Sequence, residues 1–398
     1  MPLCRHSWRS PLRLLFLLLV AILFSTCTYT DLPHVHITTD TAIDFDKKRP
    51  ARIAYTDGGN ETQLEGKIKA RGGYSRKFAK RSYALELDAP FTLGGLPADD
   101  DWVLNASYID KTFMRHRLSF DLFGQMSSRN IAPQCSYLTV TANDVEQGLY
   151  VAMQKVNAGL TRRYYEGDLV GLWKEPPVFY KDKLSSPQEP DNYYQQKYPK
   201  IKRENRSADM DSLHRFLHYG SDSLFVENVA TFFDVDQIID WHLLLLLSNN
   251  SDGLLKNFYL YKIEGTSGYR IAVWDYDHSF GRDGDNELNM MDRPINTDRC
   301  VLLRRLGTTY PEYKDRLRRR YTYLRQTSIW SAARFFSMID DYDAEIARSV
   351  RANQQLWPID SEDYFDDSDY AAEVDLIRKY VPLRLAQLDD QFGYTIGD

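Results

Sequence analysis

The stretch from Ser248 to Gly281 constrains this chain more than any other. It follows the apolar run Ile238–Leu247, which only Asp240 and His242 interrupt, the pattern of a helix buried on most sides. Asp234 stands where an N-cap belongs. The run ends in a polar loop, Asn249-Asn250-Ser251-Asp252. Asn257 comes five residues after Asp252 and opens a predicted strand, Asn257–Ile263. Gly265–Gly268 turns the chain into a second strand, Tyr269–Trp274, which delivers Asp275-Tyr276-Asp277. Helix, loop and hairpin therefore bring three carboxylates and an amide to one end of a local unit. Such oxygen donors suit Mg²⁺ or Mn²⁺.

Phosphoryl transfer asks for this equipment. The protein needs an acid group to orient the acceptor hydroxyl and hard ligands for the metal near the β and γ phosphates. In protein kinases an Asp is followed five residues later by a metal-binding Asn, and a hairpin leads on to a metal-binding Asp. Asp252, Asn257 and Asp275 stand in that order and spacing. The plainer reading has Asp252 closing a turn and Asp275 and Asp277 solvated in a loop. A calcium loop is the other competing reading, and it fits poorly: Asp275, Asp277 and Ser279 fit positions one, three and five, but Phe280 replaces the required Gly and Asn286 the terminal Glu. No G-x-x-x-x-G-K-[ST], G-x-G-x-x-G or G-x-S-x-G occurs, against P-loop, Rossmann and hydrolase-elbow chemistry.

The chain before this stretch reads as β-rich. His34–Thr39, Ala51–Thr56, Glu65–Arg71, Ser82–Asp88 and Trp102–Ala106 are short alternating runs, with a turn signal at Asp57-Gly58-Gly59-Asn60. Asp110–Met126 has helical spacing, with Asp110 as its cap. Ser136–Thr141 and Gly148–Val156 flank a hairpin loop at 143–147. Glu175–Asp191, rich in Pro and Lys, is expected on the surface. Three helices follow, Ala208–His218, Asp222–Phe233 and Asp234–Leu247, and helices dominate from about Cys300. His214 and His218 are four apart but lack the Glu of H-E-x-x-H, so a satisfied helix pair is the expectation. Lys314, Arg316, Arg318, Arg319, Arg320 and Arg325 give a basic helix, a solvated face or a docking face.

Arg5, Arg9 and Arg13 precede an unbroken apolar run, Leu14–Phe24, and then Ser25-Thr26-Cys27. This is the pattern of an export signal over 1–26, with Cys27 placed as the lipidated first residue of a membrane-anchored lipoprotein of the cell envelope. Cys4 leaves with the signal, and Cys135 and Cys300 remain as one disulfide or two buried thiols. The formal net charge of −6 argues against non-specific nucleic-acid binding.

Further motifs accompany the acidic stretch. Arg71-Gly72-Gly73-Tyr74-Ser75 precedes Lys80-Arg81-Ser82-Tyr83-Ala84-Leu85. Trp102-Val103-Leu104 precedes Tyr108-Ile109-Asp110-Lys111-Thr112 and Arg115. Gly148-Leu149-Tyr150-Val151 follows, then Asn250, Asp252, Asn257 and Tyr259-Leu260-Tyr261, then Trp274-Asp275-Tyr276-Asp277 with Phe280-Gly281. In this order they resemble the spore-coat protein H (CotH) kinase-like family: its RGNS…KKPYRL, W-x-L…Y-x-D-K-T-x-x-R, G-x-Y, N-x-D…N-x-Y-L-Y and W-D-x-D-x-x-F-G segments.

The resemblance implies an α+β, two-lobed atypical protein-kinase-like fold, with a β-rich N-terminal lobe over 27–156 and a mainly helical C-terminal lobe over 157–398. It implies ATP with Mg²⁺ or Mn²⁺, and phosphoryl transfer to Ser/Thr hydroxyls of a surface or envelope protein. Carried over, Asp252 is catalytic, Asn257 and Asp275 hold metal, and Asp277 assists. Arg71, Lys80 and Arg81 are candidates to contact phosphate, and the motif leaves open which does so. Gln154 stands at a nucleotide-side position where the family has Glu, and Gly73 replaces the Asn of RGNS. Those departures support an alternative: a catalytically inactive surface binding or scaffold protein on the same fold. Transfer of AMP in place of phosphate is a third possibility.

Overall fold

The computed structural model describes residues 32–180, 192–266, 268–282, 290–291, 293–359 and 368–395. The expected export signal and Cys27 lie outside the described residues. From Leu32 onward the chain forms one compact unit.

Seven strands close into a barrel: β1 (His34–Thr38), β2 (Arg49–Asp57), β3 (Asn60–Arg71), β4 (Ser82–Phe91), β5 (Asp99–Asn105), β6 (Cys135–Ala142) and β7 (Val145–Gln154). Their order is β1-β2-β3-β4-β5-β7-β6. Closure comes from β1 lying parallel to β6, with Val35 opposite Val140. The N-terminal part is β-rich as expected, but a closed barrel departs from the N-terminal lobe of a typical protein kinase. Alternation explains it. Ile37, Ile53, Ile68, Leu85, Leu104 and Val140 share one core inside the barrel. On β5–β7 the opposite face is apolar too: Val103, Tyr137, Leu149, Val151 and Met153 pack into a second, larger core. Those strands are buried on both sides and carry the barrel onto the rest of the chain. The β6–β7 turn is tighter than the expected loop. Asn143 and Asp144 both take positive φ, 48° and 63°, the two-residue turn that Asn and Asp tolerate.

Helix α1 (Arg115–Met126) follows the barrel strand β5. It begins later than expected because Asp110 builds a turn of its own. The Asp110 carboxylate accepts from the backbone of Thr112 at 3.1 Å and of Arg115 at 3.0 Å. After a short α2 (Ala158–Tyr164) comes β8 (Leu169–Lys174), and later β9 (Gln196–Tyr198). With β10 (Phe258–Ile263) and β11 (Arg270–Val273) they form a sheet in the order β11-β10-β8-β9. Pro176–Phe179, expected on the surface, is buried, and Phe179 stacks on Phe258 with centroids 5.3 Å apart. Residues 181–191 of that segment lie outside the described residues.

The helical part comprises α3 (Ser207–Tyr219), α4 (Asp222–Phe232), α5 (Val235–Ser248), α6 (Val301–Thr309), α7 (Tyr313–Gln326), α8 (Ala332–Leu356) and α9 (Tyr370–Phe392). Helix α5 is its axis. Leu243–Leu247 are all buried, each leucine worth about 2 kcal/mol. Its polar interruptions are satisfied. Asp240 accepts from Asn130 at 2.9 Å and pairs with Arg320 at 2.7 Å. His242 faces the Tyr313 hydroxyl at 2.8 Å, and burial pushes its pKa down to about 4.

Much of the basic helix α7 is thereby knitted into the fold. Arg316 pairs with Asp236, Arg320 with Asp240 and Arg325 with Asp389, while Arg318 and Arg319 pair with Asp315 of their own helix. His214 and His218 stack with centroids 4.4 Å apart, and His218 meets the Val178 carbonyl at 2.9 Å. Cys135 and Cys300 are both free and buried. Burial pushes the Cys300 thiol up to about 12. No described helix is long and apolar enough to cross a membrane.

Candidate active site

The loop after α5 and the hairpin β10–β11 are held together at both ends. At the start of α5, Asp234 caps the helix by accepting from Gln237 N and pairs with Arg270 at 2.8 Å. The Gln237 side chain donates to Ile271 O at 2.7 Å and accepts from Ile271 N at 2.9 Å, so it closes the free edge of β11. Gly268, at φ +67°, lies against the backbone of Phe233, where a Cβ would come within 2.5 Å. At the far end Asn249 ends α5 in the left-handed conformation at φ 56°, and its amide donates to Met290 O and Arg293 O. The last carbonyls of α5 receive donors from α9: Tyr380 Oη to Leu247 O at 2.8 Å and Arg384 Nε to Leu246 O at 2.7 Å.

These anchors set the acidic residues. Asn257 sits at φ 61° just before β10, and its Nδ2 donates to the backbone oxygen of Asp275 at 2.9 Å. That commitment leaves Oδ1 as the atom able to bind a metal. Asp275 also takes positive φ, 59°. The side chains of His116, Asp275 and Asp277 place one ligand atom each within 4.8 Å of one another. His116 Nε2 lies 3.3 Å from Asp275 Oδ1. Asp252, on a turn of 3₁₀ helix, pairs with Lys256 at 2.8 Å and lies 4.0 Å from His278 Nδ1.

The electrostatics divide the two carboxylates. Removal from water pushes Asp275 up, but the His116 hydrogen bond and the charges of His116, Arg71 and Lys174 outweigh it and hold the group well below the usual range. Half of its side chain still reaches solvent. Burial and the neighbouring Asp275 raise Asp277. Burial alone would lower His116, but its hydrogen bond to Asp275 and the charges of Asp277, Asp275 and Asp110 raise it. The donor set of two carboxylates, an amide oxygen and an imidazole fits a divalent cation.

Of the proposed phosphate contacts, Arg71 is at the site. Its guanidinium stands 5.6 Å from the Trp274 ring centroid, and its charge is felt by Asp275. Lys80 is turned inward. Its ammonium donates to Ala106 O at 3.2 Å, to Leu149 O and to Asn353 Oδ1 at 2.8 Å, so its three protons are committed. Burial lowers its pKa well below that of an ordinary lysine. Arg81 covers the Phe45 ring at 5.3 Å. Gln154 is buried, and its Oε1 accepts from Gln134 N at 3.0 Å while Nε2 finds no partner among the described residues. No hydrogen bond or ion pair joins Lys80, Arg81 or Gln154 to the acidic group among the described residues.

Sequence reasoning missed three members. His116 comes from α1, distant in sequence, and a lone helical histidine gives no signal. Lys174 ends the unforeseen strand β8 and Glu175 follows it, with Glu175 Oε1 accepting from Asn257 N at 3.2 Å. A further finding explains the Y-x-D-K-T-x-x-R segment. Arg115 pairs with Asp110 at 2.6 Å and Glu373 at 3.0 Å, and donates to Ser279 O at 2.9 Å. Arg282 pairs with the same Glu373. This buried network seats the turn that follows Asp277.

A helix-borne loop with Asp252 and Asn257, joined by a hairpin to paired carboxylates, defines a kinase-like site. The family description "CotH kinase protein" matches residues 68–388, and the chain belongs to that family. Inner spore coat protein H of Bacillus subtilis (strain 168) is 26% identical over 242 residues, covering 56% of this chain. The match spans 61% of that protein's own length. Among solved structures, the Helicobacter pylori proinflammatory kinase CtkA aligns over 69% of this chain and 94% of its own, at 10% identity and a TM-score of 0.28. That likeness is too slight to bear on fold or function.

Proposed function

We propose that the chain is an ATP-dependent phosphotransferase that phosphorylates Ser or Thr hydroxyls of a surface or envelope protein, exported and held at the membrane through lipid on Cys27. The observation that carries the reading is the clasp of Asn257 on Asp275 beside the His116–Asp275–Asp277 cluster, with Asp252 one short loop away. Asn257, Asp275 and Asp277 would hold Mg²⁺ or Mn²⁺, which supplies positive charge against the β and γ phosphates. Arg71 adds a fixed cation on the same side. Asp252 accepts a hydrogen bond from the acceptor hydroxyl and aligns its oxygen. That oxygen bonds to the γ phosphorus as the bond to the β–γ bridging oxygen breaks. The hydroxyl proton passes to the Asp252 carboxylate, and ADP leaves.

The scaffold alternative draws on Gln154, whose carbonyl oxygen is spent on the backbone N–H of Gln134. Thermal shift with ATP and Mn²⁺ separates the two, because a ligand that binds only the folded state raises its stability. The kinase reading expects a saturable shift and ATP-dependent mass gain on a generic protein acceptor such as casein. Asp252→Asn keeps the shift and loses transfer, and Asp275→Asn loses both. Wild-type transfer by Asp275→Asn overturns the assignment, no shift at millimolar ATP favours the scaffold, and an added mass of AMP favours adenylyl transfer.

A further inference from the structure

The imidazole of His116 lies among the acidic residues of the site. The residue is 1% exposed, on the first turn of α1, with its ring edge-on to Phe120 at 5.7 Å. Nδ1 is buried without a hydrogen-bond partner among the described residues. Nε2 faces Asp275 at 3.3 Å, and the ring supplies one of the three ligand atoms within 4.8 Å. The other polar group at Nε2 is the Asn105 amide at 3.5 Å. Its orientation is fixed, since Asn105 Oδ1 accepts from Ser107 N at 2.9 Å, so an amide N–H is what points toward Nε2. At 3.5 Å that amide is a distant neighbour, and Nε2 chiefly faces the carboxylates. Without metal it shares a proton with Asp275; a cation among the carboxylates displaces that proton and leaves the single lone pair to coordinate it.

We infer that His116 is itself a ligand of the bound metal and that its nitrogen makes the site select a first-row transition ion, Mn²⁺ foremost, over Mg²⁺. The inference rests on the reading of Asp275 and Asp277 as the metal carboxylates. Mg²⁺ is a hard cation that keeps its waters and gains little from imidazole, whereas transition ions bind nitrogen readily. His116 also sits in a rigid frame, because its neighbour Arg115 is locked by Asp110, Glu373 and Ser279. The preference is therefore built into the resting fold. The competing account makes His116 a hydrogen-bond donor that orients Asp275 and never touches metal.

The test titrates the full chain with Mg²⁺, Mn²⁺ and Co²⁺ salts by calorimetry, without nucleotide. The wild type is expected to bind Mn²⁺ at least about tenfold more tightly than Mg²⁺, and Co²⁺ more tightly still, following the order of divalent affinities. His116→Asn keeps Mg²⁺ binding and brings the Mn²⁺ to Mg²⁺ ratio to within about threefold. Pulsed electron paramagnetic resonance on Mn²⁺-loaded wild type needs no variant, and expects nitrogen modulation from a coordinated imidazole. An unchanged ion ratio in a folded His116→Asn, or no nitrogen coupling in the wild type, overturns the inference and leaves the kinase reading standing. No metal binding by the wild type, with ATP or without it, overturns the parent reading instead.

Discussion

Glu373 offers the sharpest test of how the fold holds its site. Its side chain is 1% exposed, and so is that of Arg115; Asp110 is at 0% and Arg282 at 5%. Two carboxylates and two guanidiniums cancel inside the protein. Glu373 accepts from Arg115, from two nitrogens of Arg282 and from Ser368. Glu373→Gln keeps the shape but leaves one buried positive charge uncompensated, and breaking one partner of such a group costs about 3–5 kcal/mol. Urea denaturation at neutral pH should read that loss. The double variant Glu373→Leu/Arg282→Met removes both members and leaves Arg115 on Asp110, so it should cost less than Glu373→Gln alone. The sign with pH follows from the pairing. Burial would raise Glu373, but Arg282, Arg115 and Ser368 outweigh it and hold the carboxyl below its ordinary value. Its contribution is present above the unfolded-state value and is lost as pH falls through the folded one. Metal affinity should fall with stability, because Arg115 also holds Ser279 O, four residues beyond Asp275. A Glu373→Gln protein within about 0.5 kcal/mol of wild type, the range of an ordinary surface change, would refute the reasoning.

Two further outcomes are expected. His242 is neutral in the fold with a value near 4 against 6.5 when unfolded. The unfolded chain then binds more protons between those values, and wild type loses about 2 kcal/mol relative to His242→Gln between pH 7 and pH 5. Parallel stability curves for the two proteins would count against this. Arg71→Met should raise the KM for ATP about tenfold, the scale of one charged hydrogen bond, while Lys80→Met should lower the melting temperature and leave that KM unchanged. The reverse pattern would return the phosphate contact to Lys80.

Local signals made much of the fold legible. Asp57-Gly58-Gly59-Asn60 turns β2 into β3 as its composition predicts, and the Asp234 cap sits one residue from its helix. What stayed hidden was non-local. The barrel closes because His34–Ile37 pair with Thr139–Ala142, and nothing in either segment names the other. Strand β8 earns its conformation from β10, some 85 residues on, through pairs such as Trp173 with Leu260. At the site, the Asp252–Asn257–Asp275 spacing was readable because one hairpin carries it. His116 was not, because its meeting with Asp275 depends on how α1 packs against α5. Lys80 shows the opposite failure: a motif lysine whose amine the fold spends on two carbonyls and an amide.

Helix α9 makes the acidic loop depend on residues remote from it in sequence. Glu373, Tyr380 and Arg384 stand 91 to 258 residues after the groups they fasten, Arg115, Arg282 and the carbonyls of Leu246 and Leu247. The barrel closes around a core of its own. The acidic loop instead depends on donors from α9. A chain without α9 would thus leave Arg115 and Arg282 without their shared carboxylate and the last carbonyls of α5 without these donors.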